Sequence, residues 1–215
     1  MEKFKKYLKW FFDSFIWLGV ILLVADIVSK LLVVANKDYI RAQGGVVLIP
    51  NFLRINYLIN NNLVFGISTG SDLSNRIVFC CVAGAIVIGI IVVLIKKWGK
   101  LDRMMRAGIM MVLAGAIGNI IDRLFYSPEF LDNPVNGVVD WIDFYGIWQF
   151  NFNIADSSVV VAAFMLIIYM LVVDIIDYKK RPKEPKPVED NEKVLSKTER
   201  EKQEFIENQN KDSNE

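Results

Sequence analysis

The sequence predicts an all-α integral membrane protein with four transmembrane helices. One or two short strands should lie on the outer membrane surface, and a charged C-terminal tail should be disordered. Three observations predict this. More than half of the 215 residues are hydrophobic, at 53%, and the mean hydropathy is +0.34. Charge is concentrated at the C-terminal end, where residues 178–215 hold ten Lys/Arg and ten Asp/Glu, leaving 15 and 14 for the other 177 residues. Between short charged connections stand four apolar runs, each long enough for the ~20 helical residues that cross a bilayer.

The runs cover about 10–34, 77–95, 107–125 and 156–176. They define a membrane core at 1–177 and a cytoplasmic tail at 178–215. The first run follows a basic start, but it is too long for a signal-peptide core and no small-x-small cleavage site follows, so an uncleaved anchor is expected. Lys/Arg bias orients the spans. Lys3, Lys5, Lys6 and Lys9 precede the first span, and Lys96, Lys97, Lys100, Arg103 and Arg106 fill the second connection. Lys179, Lys180, Arg181, Lys183 and Lys186 follow the fourth span, whereas the third connection, 126–155, has no Lys or Arg. Both termini are therefore expected in the cytoplasm.

The first outer connection alternates from Phe52 to Ile67. Leu53, Ile55, Tyr57, Ile59, Leu63, Phe65 and Ile67 share one parity, and polar residues fill most of the other. Period-two alternation predicts a half-buried strand, with a turn near Asn60-Asn61-Asn62. The third connection ends in an aromatic stretch, Trp141, Phe144, Tyr145, Trp148, Phe150 and Phe152, suited to a membrane interface. The tail is too polar to bury a core.

Composition also narrows the chemistry. There is no His, which excludes His-based triads and His-ligated metals. The only cysteines, Cys80 and Cys81, are adjacent in an apolar run, so neither a disulfide framework nor a spaced zinc motif is available. A net charge of +1 argues against nucleic-acid binding.

Carboxylates remain. Charges within spans are costly and mark candidate functional sites. Asp26 and Lys30, four apart, can neutralise each other or orient groups in an outer site. In Gly115-Ala116-Ile117-Gly118-Asn119-Ile120-Ile121-Asp122-Arg123, the glycines permit close helix approach. Asn119 shares a face with Asp122 and Arg123, and Asp122 and Arg123 can form a self-satisfied pair. Asp140 lies just beyond the third span and Asp156 begins the fourth. Asp140 can be a solvated loop acid, and Asp156 an N-cap. Alternatively they converge as two carboxylates sharing a proton, an arrangement that activates water against a carbonyl.

Five pieces in order carry a resemblance: Asp26-Ile27-Val28-Ser29-Lys30; Asn60 through Gly66; Gly115 through Arg123; Val138-Val139-Asp140; and Phe152-Asn153-Ile154-Ala155-Asp156. Together they resemble the lipoprotein signal peptidase (signal peptidase II) family over about Trp10–Ile176. The resemblance implies an aspartyl endopeptidase of the bacterial cytoplasmic membrane. It would remove signal peptides from diacylglyceryl-modified prolipoproteins just before the lipidated Cys, without cofactor or metal. The resemblance also implies a small extracytoplasmic β-cradle, a catalytic dyad of Asp140 and Asp156, and an active site at the outer face. It assigns Asn60, Asn119, Arg123, Asn153, Asp26, Lys30 and Asp122 to the substrate or to support of the dyad. Membrane lipids are the expected surroundings and a monomer the expected state. Two departures stand out. Asn61-Asn62-Leu63-Val64-Phe65 replaces the usual Thr-Gly-Ala-Ala-Phe, and Asp143 is a third acid near the dyad. The rival functions are an ion- or proton-coupled carrier, a scaffold, and a carboxylate-ligated metal hydrolase.

Overall fold

The computed structural model describes residues 1–61, 71–180 and 197–207. Four helices among them are long and apolar enough to cross a membrane: Ile16–Ala35, Leu73–Lys100, Arg103–Phe125 and Ile154–Lys180. In chain order the helices and strands are α1 (Glu2–Ser14), α2 (Ile16–Ala35), α3 (Lys37–Ala42), β1 (Val46–Ile49) and β2 (Leu53–Asn60). Then follow α4 (Asp72–Lys97), α5 (Arg103–Phe125), α6 (Pro128–Leu131), β3 (Val138–Asp143), β4 (Asn151–Phe152) and α7 (Ile154–Lys180). The chain divides into two compact units, Met1–Val172 and Val173–Glu215. In the second unit the described residues are the end of α7 and a helical segment at 197–207.

The apolar run from residue 10 is not one helix. Phe15 takes a left-handed conformation, φ 56° and ψ 13°, and separates α1 from the spanning α2. The sequence has no Gly or Pro here to signal the break. Ser14 stabilises it: its hydroxyl donates to Phe11 O at 2.7 Å and accepts from Ile16 N–H at 3.2 Å. Other helix starts have ordinary caps. Ser71 accepts from Ser74 N–H and Asp102 from Met105 N–H, each satisfying a donor the helix leaves orphaned.

Small residues bring α5 and α7 together. A Cβ on Gly115 would lie 2.4 Å from Ala155 O and 2.5 Å from Val159 Cγ2, and one on Gly108 would strike Leu166 Cγ at 2.7 Å. The Ala155 carbonyl is backbone and cannot yield. Gly115→Ala is therefore expected to destabilise the protein by about 1–3 kcal/mol, the usual cost of overpacking. Gly84→Ala should be neutral, because nothing lies within 4 Å of its Cβ position. Thermal unfolding in detergent measures both.

The strands in the first and third connections form an antiparallel four-stranded sheet of order β1-β2-β3-β4, more than the one or two strands expected. Alternation in β2 works as the sequence implies. Tyr57 is buried, and Ile55 and Ile59 pack against a core of Val33, Val34, Ile40, Tyr126, Leu131 and Val139. β2 ends at Asn60. The expected continuation through Leu63, Phe65 and Ile67 falls outside the described residues, as do Asn62 of the turn and the departure Leu63-Val64. The sheet is tied down by Arg41, which donates to Asp132 Oδ2 at 2.6 Å and lies over the Tyr57 ring. The Tyr57 hydroxyl donates to Leu131 O.

Candidate active site

The site forms where the C-terminal parts of α2 and α5 meet β3 and the start of α7. Helical spacing puts Asp26 and Lys30 on one face of α2, and Lys30 Nζ lies 2.6 Å from Asp26 Oδ2. It also lies 2.9 Å from Asp122 Oδ2 and donates to Asn119 Oδ1 at 3.2 Å. Lys30, Asp26 and Asp122 are each 0% exposed. Charges so deeply buried are tolerable only when paired, and here the ammonium lies within ion-pair distance of two carboxylates and donates to an amide oxygen. The expected Asp122–Arg123 pair is therefore not what forms. Adjacent helical residues do not face each other, and Asp122 turns to Lys30.

The charge cluster grips the main chain on both sides of the site. Ala155 N–H donates to Asp26 Oδ1 at 2.8 Å. Val139 N–H donates to Asp122 Oδ2 at 3.2 Å. Ala155 and Val139 immediately precede Asp156 and Asp140, so one buried network fixes the backbone that carries each acid. These two amides carry no side-chain signature that a sequence reading can find.

Amide side chains then connect the two carboxylates. Asn153 Nδ2 donates to Asp140 Oδ1 at 2.8 Å, and Asn60 Nδ2 to Asp140 Oδ2 at 3.0 Å. Asn119 Nδ2 donates to Asp156 Oδ1 at 2.7 Å. Asn153 also donates to Asn119 Oδ1 at 3.2 Å, completing a path from Asp140 through two asparagines to Asp156. The Asn153 side-chain oxygen accepts from Asp156 N–H at 2.8 Å. Asn153 is thus the cap of α7, and Asp156 sits within its first turn rather than at the N-cap position that its sequence context left open. A carboxylate in that turn is favoured by the helix dipole.

Asp140 is 1% exposed, so it is not a solvated loop acid. Burial pushes its carboxyl well above the ordinary carboxylate range, and the Asp156 charge pushes it further. The amide hydrogen bonds and Lys30 offset only part of this. Arg123 is 5% exposed, its guanidinium stacks 3.6 Å from the centroid of the Phe79 ring, and its charge acts on both Asp140 and Asp156. Phe79 carries no signal in the sequence that would single it out from its apolar span.

Asp143 is held elsewhere. Arg54 Nε donates to its Oδ2 at 2.6 Å, and Asn56 Nδ2 approaches the same oxygen at 3.4 Å. The reason is the strand period. Residues three apart on β3 point to opposite faces, so Asp143 cannot join Asp140.

Four apolar helices thus carry two carboxylates, the buried Asp140 and the half-buried Asp156, joined through Asn153 and Asn119. The family model described as Signal peptidase (SPase) II matches residues 16–172. A lipoprotein signal peptidase of Coxiella burnetii is 31% identical over 172 residues, covering 79% of this chain and 94% of that protein. One from Fusobacterium nucleatum is 33% identical over 156 residues, covering 72% and 84%. Two solved bacterial membrane enzymes share the fold. One has TM-score 0.57 and 29% identity over 80% of this chain and 93% of its own. The other has TM-score 0.54 and 30% identity over 73% and 91%. The chain belongs to the signal peptidase II family and is a bacterial membrane aspartic peptidase.

Proposed function

We propose that Asp140 and Asp156 are the catalytic dyad of this peptidase, which removes signal peptides from prolipoproteins and cuts just before a diacylglyceryl-modified Cys. The observation that carries the reading is the asparagine path joining the two carboxylates, Asp140–Asn153–Asn119–Asp156. One carboxyl of the pair keeps its proton and the other is ionised. The ionised member takes a proton from water as the water oxygen attacks the scissile carbonyl, while the protonated member donates to the carbonyl oxygen. The tetrahedral intermediate collapses as the amine leaves with a proton from the dyad. Asn60 and Arg123 stand beside the dyad, where they can meet the substrate main chain. Lys30, Asp26 and Asp122 act as positioning residues through Ala155 and Val139.

Lys/Arg bias supports termini in the cytoplasm and the site at the outer face. There, a substrate whose lipid sits in the outer leaflet presents its scissile bond at the level of the dyad. The aromatic connection, in which Phe144 packs edge-on against Phe52 and Phe152, then lies at the membrane surface. The enzyme acts as a monomer among membrane lipids. The test is cleavage of a prolipoprotein with and without the diacylglyceryl group, with the product sequenced. The expected result is a free lipidated Cys at the new N-terminus and at least ~100-fold slower cleavage of the unlipidated form. Equal rates on both would contradict the substrate assignment.

The electrostatics of Asp140 predict a pH profile. Its raised affinity for a proton keeps it neutral at pH values where an ordinary carboxyl is ionised. As pH rises through that elevated value the pair becomes doubly ionised and the general acid is lost. As pH falls, the ionised member takes a second proton and the general base is lost. The dependence of kcat/KM on pH is therefore expected to be bell-shaped, with its alkaline limb well above the carboxylate range. A rate already declining near pH 4–5, where ordinary carboxyls ionise, would contradict it.

A further inference from the structure

The helix that the break at Phe15 separates from the first span has a chemistry that peptide cleavage does not use. On α1, Phe4, Tyr7, Leu8, Phe11 and Phe12 fall along one arc of the helix, and Lys5, Lys6 and Lys9 along the opposite arc with Glu2 and Asp13. Among the described residues the apolar arc is largely uncovered: Phe4 is 70%, Tyr7 72% and Phe12 52% exposed. The other end of α1 is held firmly. Ser14 is fully buried. Asp13 Oδ1 lies 3.4 Å from Arg103 Nε, and Asp13 O accepts from Arg106 Nη1 at 3.4 Å. Trp10 packs against Trp98, ring centroids 6.3 Å apart.

These contacts fix the level of α1. Arg103 begins α5, whereas Asp122 at its far end pairs with Lys30. The rise of ~1.5 Å per residue separates those ends by about 28 Å, roughly one hydrocarbon thickness. α1 therefore lies at the membrane boundary opposite the Asp140–Asp156 site. Cations collect there: Lys3, Lys5, Lys6 and Lys9 on α1, and Lys96, Lys97 and Lys100 on the connection beside it. Nearby acids are largely engaged, since Asp13 pairs with Arg103 and Asp102 accepts from Tyr169.

We propose that α1 is an in-plane docking helix whose apolar arc enters the interface and whose lysines bind anionic phospholipid headgroups. A basic amphipathic helix lies in the interface with its apolar face ~5–10 Å into the headgroup boundary. Each lysine near an anionic surface adds roughly a fivefold preference over a neutral one. The occupant is a lipid surface rather than a protein because an apolar arc flanked by lysines and continuous with a spanning helix matches a charged leaflet on both counts. The inference rests on the four-span fold and not on the identity of the dyad.

The test uses the full chain with Leu8→Cys in a Cys80→Ala, Cys81→Ala background, labelled with an environment-sensitive fluorophore. It is reconstituted singly in nanodiscs of phosphatidylcholine, or of phosphatidylcholine with about one third phosphatidylglycerol. The expected result is blue-shifted emission and at least ~threefold weaker iodide quenching in the anionic discs. High salt should reverse the difference, since about 1 M shortens the screening length to ~3 Å. Lys→Gln at positions 3, 5, 6 and 9 should abolish the difference while leaving cleavage in detergent unchanged. Equal quenching in both lipids overturns the proposal. So does protection that survives removal of the lysines, or protection that appears only in discs holding two copies, which would make a second chain the occupant. The lipid comparison on the native lysines requires no folding-sensitive variant.

Discussion

Replacing Lys30 by Met is expected to lower the unfolding temperature in detergent by roughly 10 °C, the equivalent of about 3–5 kcal/mol for a chain of this size. The side chain is similar in volume, so packing is not the cause. The loss arises because Asp26 and Asp122, both fully buried, lose the cation that each touches within 3 Å and are left as buried carboxyls without a partner for it. Adding Asp26→Asn and Asp122→Asn to Lys30→Met removes those charges and should recover at least half of the loss. The amides they bind, Ala155 N–H and Val139 N–H, keep an oxygen acceptor in the asparagine variants. The pattern of loss and recovery separates electrostatics from a cavity effect, which Asn substitutions would not cure. A Lys30→Met protein unfolding within about 2 °C of the parent, under one kcal/mol, would show that the cluster does not hold the site together.

Asp140→Asn and Asp156→Asn are each expected to slow cleavage by at least ~10³-fold, within the range general acid–base catalysis supplies. The double variant should be no slower than either single one, because members of one proton-transfer unit do not contribute additively. Stability should move in a different direction from activity. Asp140 is buried beside a second carboxylate, and its neutral form is favoured, so an amide of the same shape removes repulsion. Asp140→Asn should therefore unfold at the same temperature or higher. Loss of cleavage together with a large loss of stability would instead make Asp140 a structural residue. Rates and unfolding curves on the same preparations decide between the two.

Much of this molecule could be read from its residues, for identifiable physical reasons. Apolar length gave the spans, and the period of two in β2 correctly placed Tyr57, Ile55 and Ile59 toward the core. The strand period that sets Asp143 apart from Asp140 was not legible, because the third connection reads as an aromatic interfacial stretch and β3 is seen only in the structure. What could not be read was long-range. Nothing local announces that Lys30 joins Asp122 across 92 positions of chain, and Arg123 next door offered a plausible but wrong partner. Nor does composition reveal that the main-chain amides of Ala155 and Val139 anchor the backbone just before Asp156 and Asp140. The break at Phe15 was hidden because a left-handed Phe is rare and the run around it is apolar. The only hint was Ser14, together with a change from a lysine-bearing amphipathic pattern to a wholly apolar one. β1 and β4 are short, and strands of that length leave little periodic signal.

The dyad assignment is tested by cleavage of a diacylglyceryl-modified prolipoprotein by purified wild type, Asp140→Asn, Asp156→Asn and Asp143→Asn side by side, with and without a chelator. The expected result is loss of cleavage in the 140 and 156 variants, retained cleavage in the 143 variant, and no response to the chelator. Full activity in either the 140 or the 156 variant would contradict the dyad. Loss of activity in the 143 variant alone would move the reacting pair to the other face of β3.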